Sequence, residues 1–305
     1  MMDIRLKTAY SFHQQGRRDH QEDSRFPDVE QASDKQRFFV VCDGVGGSEK
    51  GEVASGTVCR AIGRFMSDVD FSCDFTNDAF HQLLDASYDA LDKAANRENK
   101  EMATTMTFVC FHAGGCTMAH IGDSRIYQIR PSEGILYRSD DHSLVNSMVR
   151  NGMITPEEAQ EHPQRNVITR FMEPVDADQN RCMATVMRTM DVRSGDYFLL
   201  CTDGVLHCIS DDLLLQILTG DESDEMKMRQ LAELSKESED NNTAWLIAVA
   251  DVIDDKGSVT ADQSDESDVL PVTKRLSTKT RHLEEIESIQ PKNGNFKSWF
   301  NNLFK

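Results

Sequence analysis

No stretch of this sequence approaches the ~18 consecutive apolar residues that a membrane-spanning helix requires, and no CxxC pair occurs in it. The first absence argues against a span, the second against a zinc site of the usual spacing. Basic residues are also short: 33 Lys and Arg stand against 52 Asp and Glu, a formal net charge of −19. Such a balance argues against non-specific nucleic-acid binding, which needs a basic footprint. The opening MMDIRLKTAY has no apolar signal core. Hydrophobic residues, at 39%, are slightly lean for a globular chain, so part of it is expected to lie outside the core.

Cysteine is present, at positions 42, 59, 73, 110, 116, 182, 201 and 208, and several of the eight sit inside apolar runs (FFVVC, TFVCF, FLLC). Buried free thiols in a reducing compartment explain that placement better than disulfides, so a cytoplasmic protein is expected. Short apolar runs at 38–42, 106–111, 116–121, 197–201 and 244–250 predict strands buried in a sheet. Between them lie helical stripes: Val58, Ala61, Ile62 and Phe65, then Phe80, Leu83, Leu84, Tyr88 and Leu91. Two helices come together, several strands follow, and a helical block falls at about 143–161. That uneven order predicts α+β rather than a doubly wound parallel sheet.

The acids carry the chemistry. Strand FFVVC runs into Asp43-Gly44, CTMAHI into Gly122-Asp123 and YFLLC into Thr202-Asp203-Gly204, while Asp240 stands just before AWLIAVA and RRDHQEDS adds Glu22 and Asp23. Any one Asp-Gly after an apolar run is an ordinary turn signal. Several together predict more. If the strand ends meet, the carboxylates converge and repel one another unless cations are present. Oxygen ligands without His or Cys suit hard divalent ions such as Mg²⁺ or Mn²⁺.

Six segments then resemble, in family order, the metal-dependent phosphatases of the protein phosphatase 2C type, above all the bacterial serine/threonine branch. They are GRRDHQEDS (16–24), VVCDGVGGSEKGEVAS (40–55), MATTMTF (102–108), IGDSRIYQIR (121–130), the run 141–170, and GDYFLLCTDGV (195–205) with EDNNT (239–243). The resemblance implies two packed antiparallel sheets flanked by helices, an α-β-β-α sandwich, with a helical flap at about 141–170. It implies hydrolysis of phosphoserine and phosphothreonine by a metal-bound water, with two or three Mn²⁺ or Mg²⁺ ions. Asp43 would bridge the first two ions and Arg18 would grip the phosphate. Asp203 and Asp240 would complete the first site, Glu22 and the Gly44 carbonyl the second. Asp123 with Asp203 would hold a third, weaker ion. Asp23 and Asn241 would orient these ligands from behind. The pattern departs at Gln21, where the family has Asn, and at Ala103, where glycine is common. Val45 stands where eukaryotic members often carry a histidine, so water is expected to protonate the leaving oxygen. His120 and His207, at or beside strand ends, are read as structural.

A catalytic domain over 1–253 is expected, then an acidic-to-basic disordered linker over 254–295 and a short amphipathic segment over 296–305. Phe296, Trp299, Phe300, Leu303 and Phe304 share one helical face there, suited to a partner or membrane surface or to folding back on the domain. Phosphorylated proteins, including a protein kinase, are the partners that the family's habits imply, and no nucleic acid is expected. With no spare apolar stripe outside the tail, the chain is expected to be a monomer. The competing reading is a catalytically inactive phosphoprotein-binding or sensor module on the same fold.

Overall fold

Strand FFVVC is apolar at every position because both of its faces are covered. In a computed structural model, which describes residues 1–45, 50–95, 102–175 and 180–254, Phe38, Val40 and Cys42 face two helices. Phe39 and Val41 face a second sheet. The first sheet has the order β12-β9-β8-β5-β3. Its strands are β3 (Ser24–Phe26), β5 (Phe38–Cys42), β8 (Met106–His112), β9 (Gly115–Ile121) and β12 (Thr185–Thr189). The second has the order β11-β10-β13-β14-β2-β4, with β1 also on β14. Its strands are β1 (Met2–Leu6), β2 (Ala9–Gln14), β4 (Gln31–Ala32), β10 (Arg125–Arg130), β11 (Gly134–Arg138), β13 (Tyr197–Cys201) and β14 (Asn242–Asp254). A two-stranded ribbon pairs β6 (Gly44–Val45) with β7 (Ala103–Thr104). All these pairings are antiparallel.

Phe39, Phe111 and Met118 of the first sheet meet Phe198, Leu200 and Trp245 of the second to form the central core. Outside the first sheet pack α1 (Lys50–Met66) and α2 (Asn77–Ala94). The α2 stripe of Phe80, Leu83, Leu84, Tyr88 and Leu91 is buried throughout, as its spacing predicts. In α1 Val58 and Ile62 are buried, while Ala61 and Phe65 are half-buried at the margin. Outside the second sheet lie α5 (Asp203–Leu206), α6 (Asp211–Thr219) and α7 (Asp224–Ser235). The result is the predicted α-β-β-α sandwich.

The helical block also forms, as α3 (Leu144–Arg150) and α4 (Pro156–Gln160). Thr155 caps α4 through a reciprocal pair of hydrogen bonds with Glu158, and Pro156 opens the helix, where a missing N–H costs nothing. The cysteines are free, five of them buried, and Cys42 and Cys201 are core residues. No helix among the described residues is long and apolar enough to cross a membrane. The linker and amphipathic segment expected over 254–305 lie outside the described residues, apart from Asp254 at the end of β14.

Candidate metal centre

Antiparallel pairing puts the C-terminal ends of β5 and β9 at one end of their sheet, and that of β13 beside the start of β14 in the other. The acids therefore gather from both sheets. Asp43 follows β5, Asp123 follows β9, Asp203 opens α5 after β13, Asp240 precedes β14 and Glu22 precedes β3.

Two close backbone approaches tighten this group. A Cβ on Gly44 would stand 2.5 Å from the Gly51 carbonyl and 2.6 Å from that of Glu22, so only glycine lets the chain after Asp43 lie against the start of α1. A Cβ on Gly204 would stand 2.0 Å from the Asn241 carbonyl oxygen, so glycine also lets the Asp203 turn meet the Asp240–Asn241 turn.

The electrostatics show the convergence. Burial raises the proton affinity of the Asp43 carboxyl well above the ordinary range, and Asp23, Asp203, Asp123 and Asp240 raise it further. Asp123 is raised likewise, by burial and then by Asp203 and Asp141. Asp203 is raised by burial first, with His207 opposing and Asp240 adding. Asp203 Oδ1 and Asp23 Oδ1 are buried with no hydrogen-bond partner. Among the described residues no three His, Cys, Asp or Glu side chains close on one point as a finished cage. What the fold supplies is a group of mutually repelling oxygens, and divalent cations fit it: they relieve the repulsion and take up the orphaned atom of Asp203.

Behind these acids lies a hydrogen-bonded frame. Asn241 Oδ1 accepts from the Glu22 N–H at 2.8 Å, and its Nδ2 donates to the Gln15 and His20 carbonyls at 2.8 and 2.9 Å. Asp23 is buried and accepts from Thr202 Oγ1 at 3.0 Å. Burial pushes its carboxyl up to about 8, against the hydrogen bonds from Thr243 and Thr202. Gln21 Oε1 accepts from the Asp23 N–H at 2.9 Å. Arg18, half-exposed, donates from Nη2 to Asp240 Oδ2 at 2.7 Å.

Two features go beyond the residues that the sequence marks, the threonine pair at 104–105 and His142, and His207, expected to be structural, lies nearer the acids than that reading implies. Thr104 and Thr105 clamp the backbone of Asp43: Thr105 N–H and Thr104 Oγ1 both donate to its carbonyl, at 2.8 and 2.9 Å. The Asp43 N–H donates to Thr105 Oγ1 at 2.9 Å. His207, one turn after Asp203, brings Nε2 to 3.8 Å from Asp203 Oδ2, on the rim of the cluster and not in the core. His142, discussed below, joins the Asp123 turn. Threonines in strands and a histidine in a loop are too ordinary for the sequence alone to mark them.

Two packed antiparallel sheets flanked by helices, with carboxylates gathered at one end, are an architecture that this chain shares with solved bacterial serine/threonine phosphatases. The description of protein phosphatase 2C matches residues 16–249, and the chain belongs to that family. It is 34% identical over 230 residues to the serine/threonine protein phosphatase PstP of Mycobacterium tuberculosis, a match that covers 72% of this chain and 41% of PstP. With a putative protein phosphatase 2C-type protein of Streptococcus pyogenes it shares 32% over 203 residues, 65% of this chain and 79% of that one. The crystal structure of the Mycobacterium tuberculosis phosphatase PstP/Ppp superposes with a TM-score of 0.68 at 29% identity, covering 81% of this chain and all of that one. The PstP catalytic domain in complex with two manganese ions gives 0.64 at 28% identity, covering 82% of this chain and 100% of that one.

Proposed function

We propose that this chain is a metal-dependent phosphatase that removes phosphate from serine and threonine side chains of proteins. The observation that carries the reading is the convergence of Glu22, Asp43, Asp123, Asp203 and Asp240 from both sheets, with Arg18 beside them. In this reading two Mn²⁺ or Mg²⁺ ions would be held with Asp43 common to both, Asp203 and Asp240 on one side and Glu22 with the Gly44 carbonyl on the other. Asp123 with Asp203 would hold a third, weaker ion. When bound, the ions supply a water of lowered pKa and positive charge against the phosphate oxygens.

The protein's own residues do the rest. Arg18 holds the phosphate, for which its planar fork is suited; its present grip on Asp240 keeps it at the mouth of the cluster. Asn241 fixes Glu22 through the backbone, and Asp23 holds Thr202, the residue before Asp203. The segment 141–170 is the flap that borders the substrate path, and a serine/threonine protein kinase is among the partners whose phosphorylation the enzyme reverses. Free thiols in the core fit a cytoplasmic setting. Every position needed for cation binding carries an oxygen ligand, so nothing in the site favours an inactive binding module.

The test is hydrolysis of a phosphothreonine peptide by the full chain, with EDTA, Mg²⁺ or Mn²⁺. Turnover with metal and none in EDTA is expected; folded protein inert with every metal would overturn the reading. Protonation of the leaving oxygen by water gives a second expectation. His207→Gln should change kcat less than ~10-fold, whereas a loss of ~10²-fold would assign that proton to His207.

A further inference from the structure

His142 opens the flap segment and is almost completely buried. Four pieces of the chain meet on it. Its Nδ1 accepts from the Gly122 N–H at 3.1 Å, and its own N–H donates to the Gly122 carbonyl at 2.9 Å. Its carbonyl accepts from Thr169 twice, from N–H at 2.7 Å and from Oγ1 at 2.9 Å, which closes the far end of the segment. Its Nε2 pairs with Thr185 Oγ1 of β12 at 2.9 Å. The ring stacks on His120, centroids 4.4 Å apart and planes within 12°.

The tautomer follows from these partners. An N–H pointing at Nδ1 makes that nitrogen the acceptor, so the ring proton sits on Nε2 and donates to Thr185. Burial, then His120, Arg170 and Arg150, hold its pKa down to about 2, so the ring stays neutral. Beyond Gly122 the same frame continues. Gly122 sits at φ +107°, and a Cβ there would stand 2.5 Å from Thr105 Cγ2. Thr105 Oγ1 meets Ser124 Oγ at 2.9 Å and also takes the Asp43 N–H. One hydrogen-bonded frame therefore runs from Asp43 through Thr105 and Ser124 to the Asp123 turn, and from Gly122 through His142 to both ends of the flap.

We propose that His142 is a positioning residue that ties the flap to the Gly122–Asp123 turn, so that the flap and the Asp123 carboxylate move as one. The inference rests on the reading of Asp123 as a cation ligand. It follows from hydrogen bonds in both directions between His142 and the residue that precedes Asp123. A closed flap holds the carboxylate in place, and a cation on Asp123 holds the flap.

The test uses the full chain and Mn²⁺ alone, with calorimetry for the weaker binding step and amide hydrogen exchange at Gly122 and across α3. An Asn side chain can place its oxygen where Nδ1 stands, whereas Gln reaches toward the Nε2 position. His142→Gln is expected to weaken the weaker Mn²⁺ step about tenfold and to speed Gly122 exchange. His142→Asn is expected to restore most of both, although each variant loses the stack. Equal behaviour of the two variants would overturn the proposal and leave His142 a packing residue. Asp123→Asn separates the premise: if it leaves the weaker step unchanged, the reading of Asp123 fails and the proposal with it. If it abolishes that step while His142→Gln does not weaken it, the proposal alone fails. Wild-type protein gives the reciprocal arm, which needs no variant to fold. Raising Mn²⁺ through the weaker step should slow exchange at Gly122 and α3 together, and unchanged exchange at α3 contradicts the coupling.

Discussion

Replacing Asp43 with Asn should lower metal-dependent turnover by ~10³-fold or more, because both ions of the proposed pair share this carboxylate and their charge contributes several kcal/mol. The fold should survive. The side chain is repelled by Asp23, Asp203, Asp123 and Asp240, while the backbone of residue 43 stays clamped by Thr104 and Thr105. In EDTA the melting temperature of Asp43→Asn should therefore equal or exceed that of wild type, since a neutral amide removes repulsion. Saturating Mn²⁺ should reverse the order: a ligand at a hundredfold excess over Kd stabilises the native state by about 2.7 kcal/mol, and the variant forgoes most of that. Thermal melts with and without metal, beside initial rates, check both halves. A variant destabilised in EDTA would mean that Asp43 is a structural residue.

The second large effect concerns stability. Asp196 is fully buried between β12 and β13 and accepts from Arg130 Nε at 2.7 Å, Arg130 Nη2 at 2.9 Å and the Arg193 N–H at 3.0 Å. Arg130, on β10, is itself buried and also reaches Asp191 at 3.1 Å and Glu133 at 3.3 Å. Asp196→Ala leaves the guanidinium without its best partner, and breaking a buried pair from one side costs about 3 kcal/mol or more. Denaturant unfolding should show that loss with the Mn²⁺ isotherm unchanged, because the network gathers at the C-terminal end of β10, whereas Asp123 precedes the other end of that strand. A loss below ~1 kcal/mol would mean that Asp191 and Glu133 suffice for Arg130.

The same network explains what the sequence could not reveal. Strands covered on both faces, such as β5, β8, β9 and β13, are apolar without interruption and stand out at once. β10 does not, because Gln128 and Arg130 hide in its buried positions, made acceptable by Asp196 and Asp191 far along the chain. β1, β2, α6 and α7 were likewise not singled out. β1 alternates buried and exposed residues over only five positions, and α7 buries Lys227 in its apolar face through a bond to the Tyr197 hydroxyl. The site was more legible. Its acids announce themselves as Asp-Gly turns after buried strands, and their number makes convergence a fair expectation. The frame behind them was not, since a threonine in a strand or a histidine before a helix has many structural uses. Only the fold brings Thr105 to Asp43 and His142 to Gly122. His207, expected to be structural, stands on the rim of the cluster with Nε2 3.8 Å from Asp203 Oδ2, and the His207→Gln rate tests its part there.

The most direct test of the central claim is anomalous diffraction from crystals of the full chain grown with Mn²⁺. Two strong peaks that share the Asp43 carboxylate are expected, one beside Asp203 and Asp240, the other beside Glu22 and the Gly44 carbonyl. A weaker third peak is expected at Asp123. Peaks absent from this end of the sandwich at saturating Mn²⁺, or lying elsewhere on the acidic surface, would contradict the account.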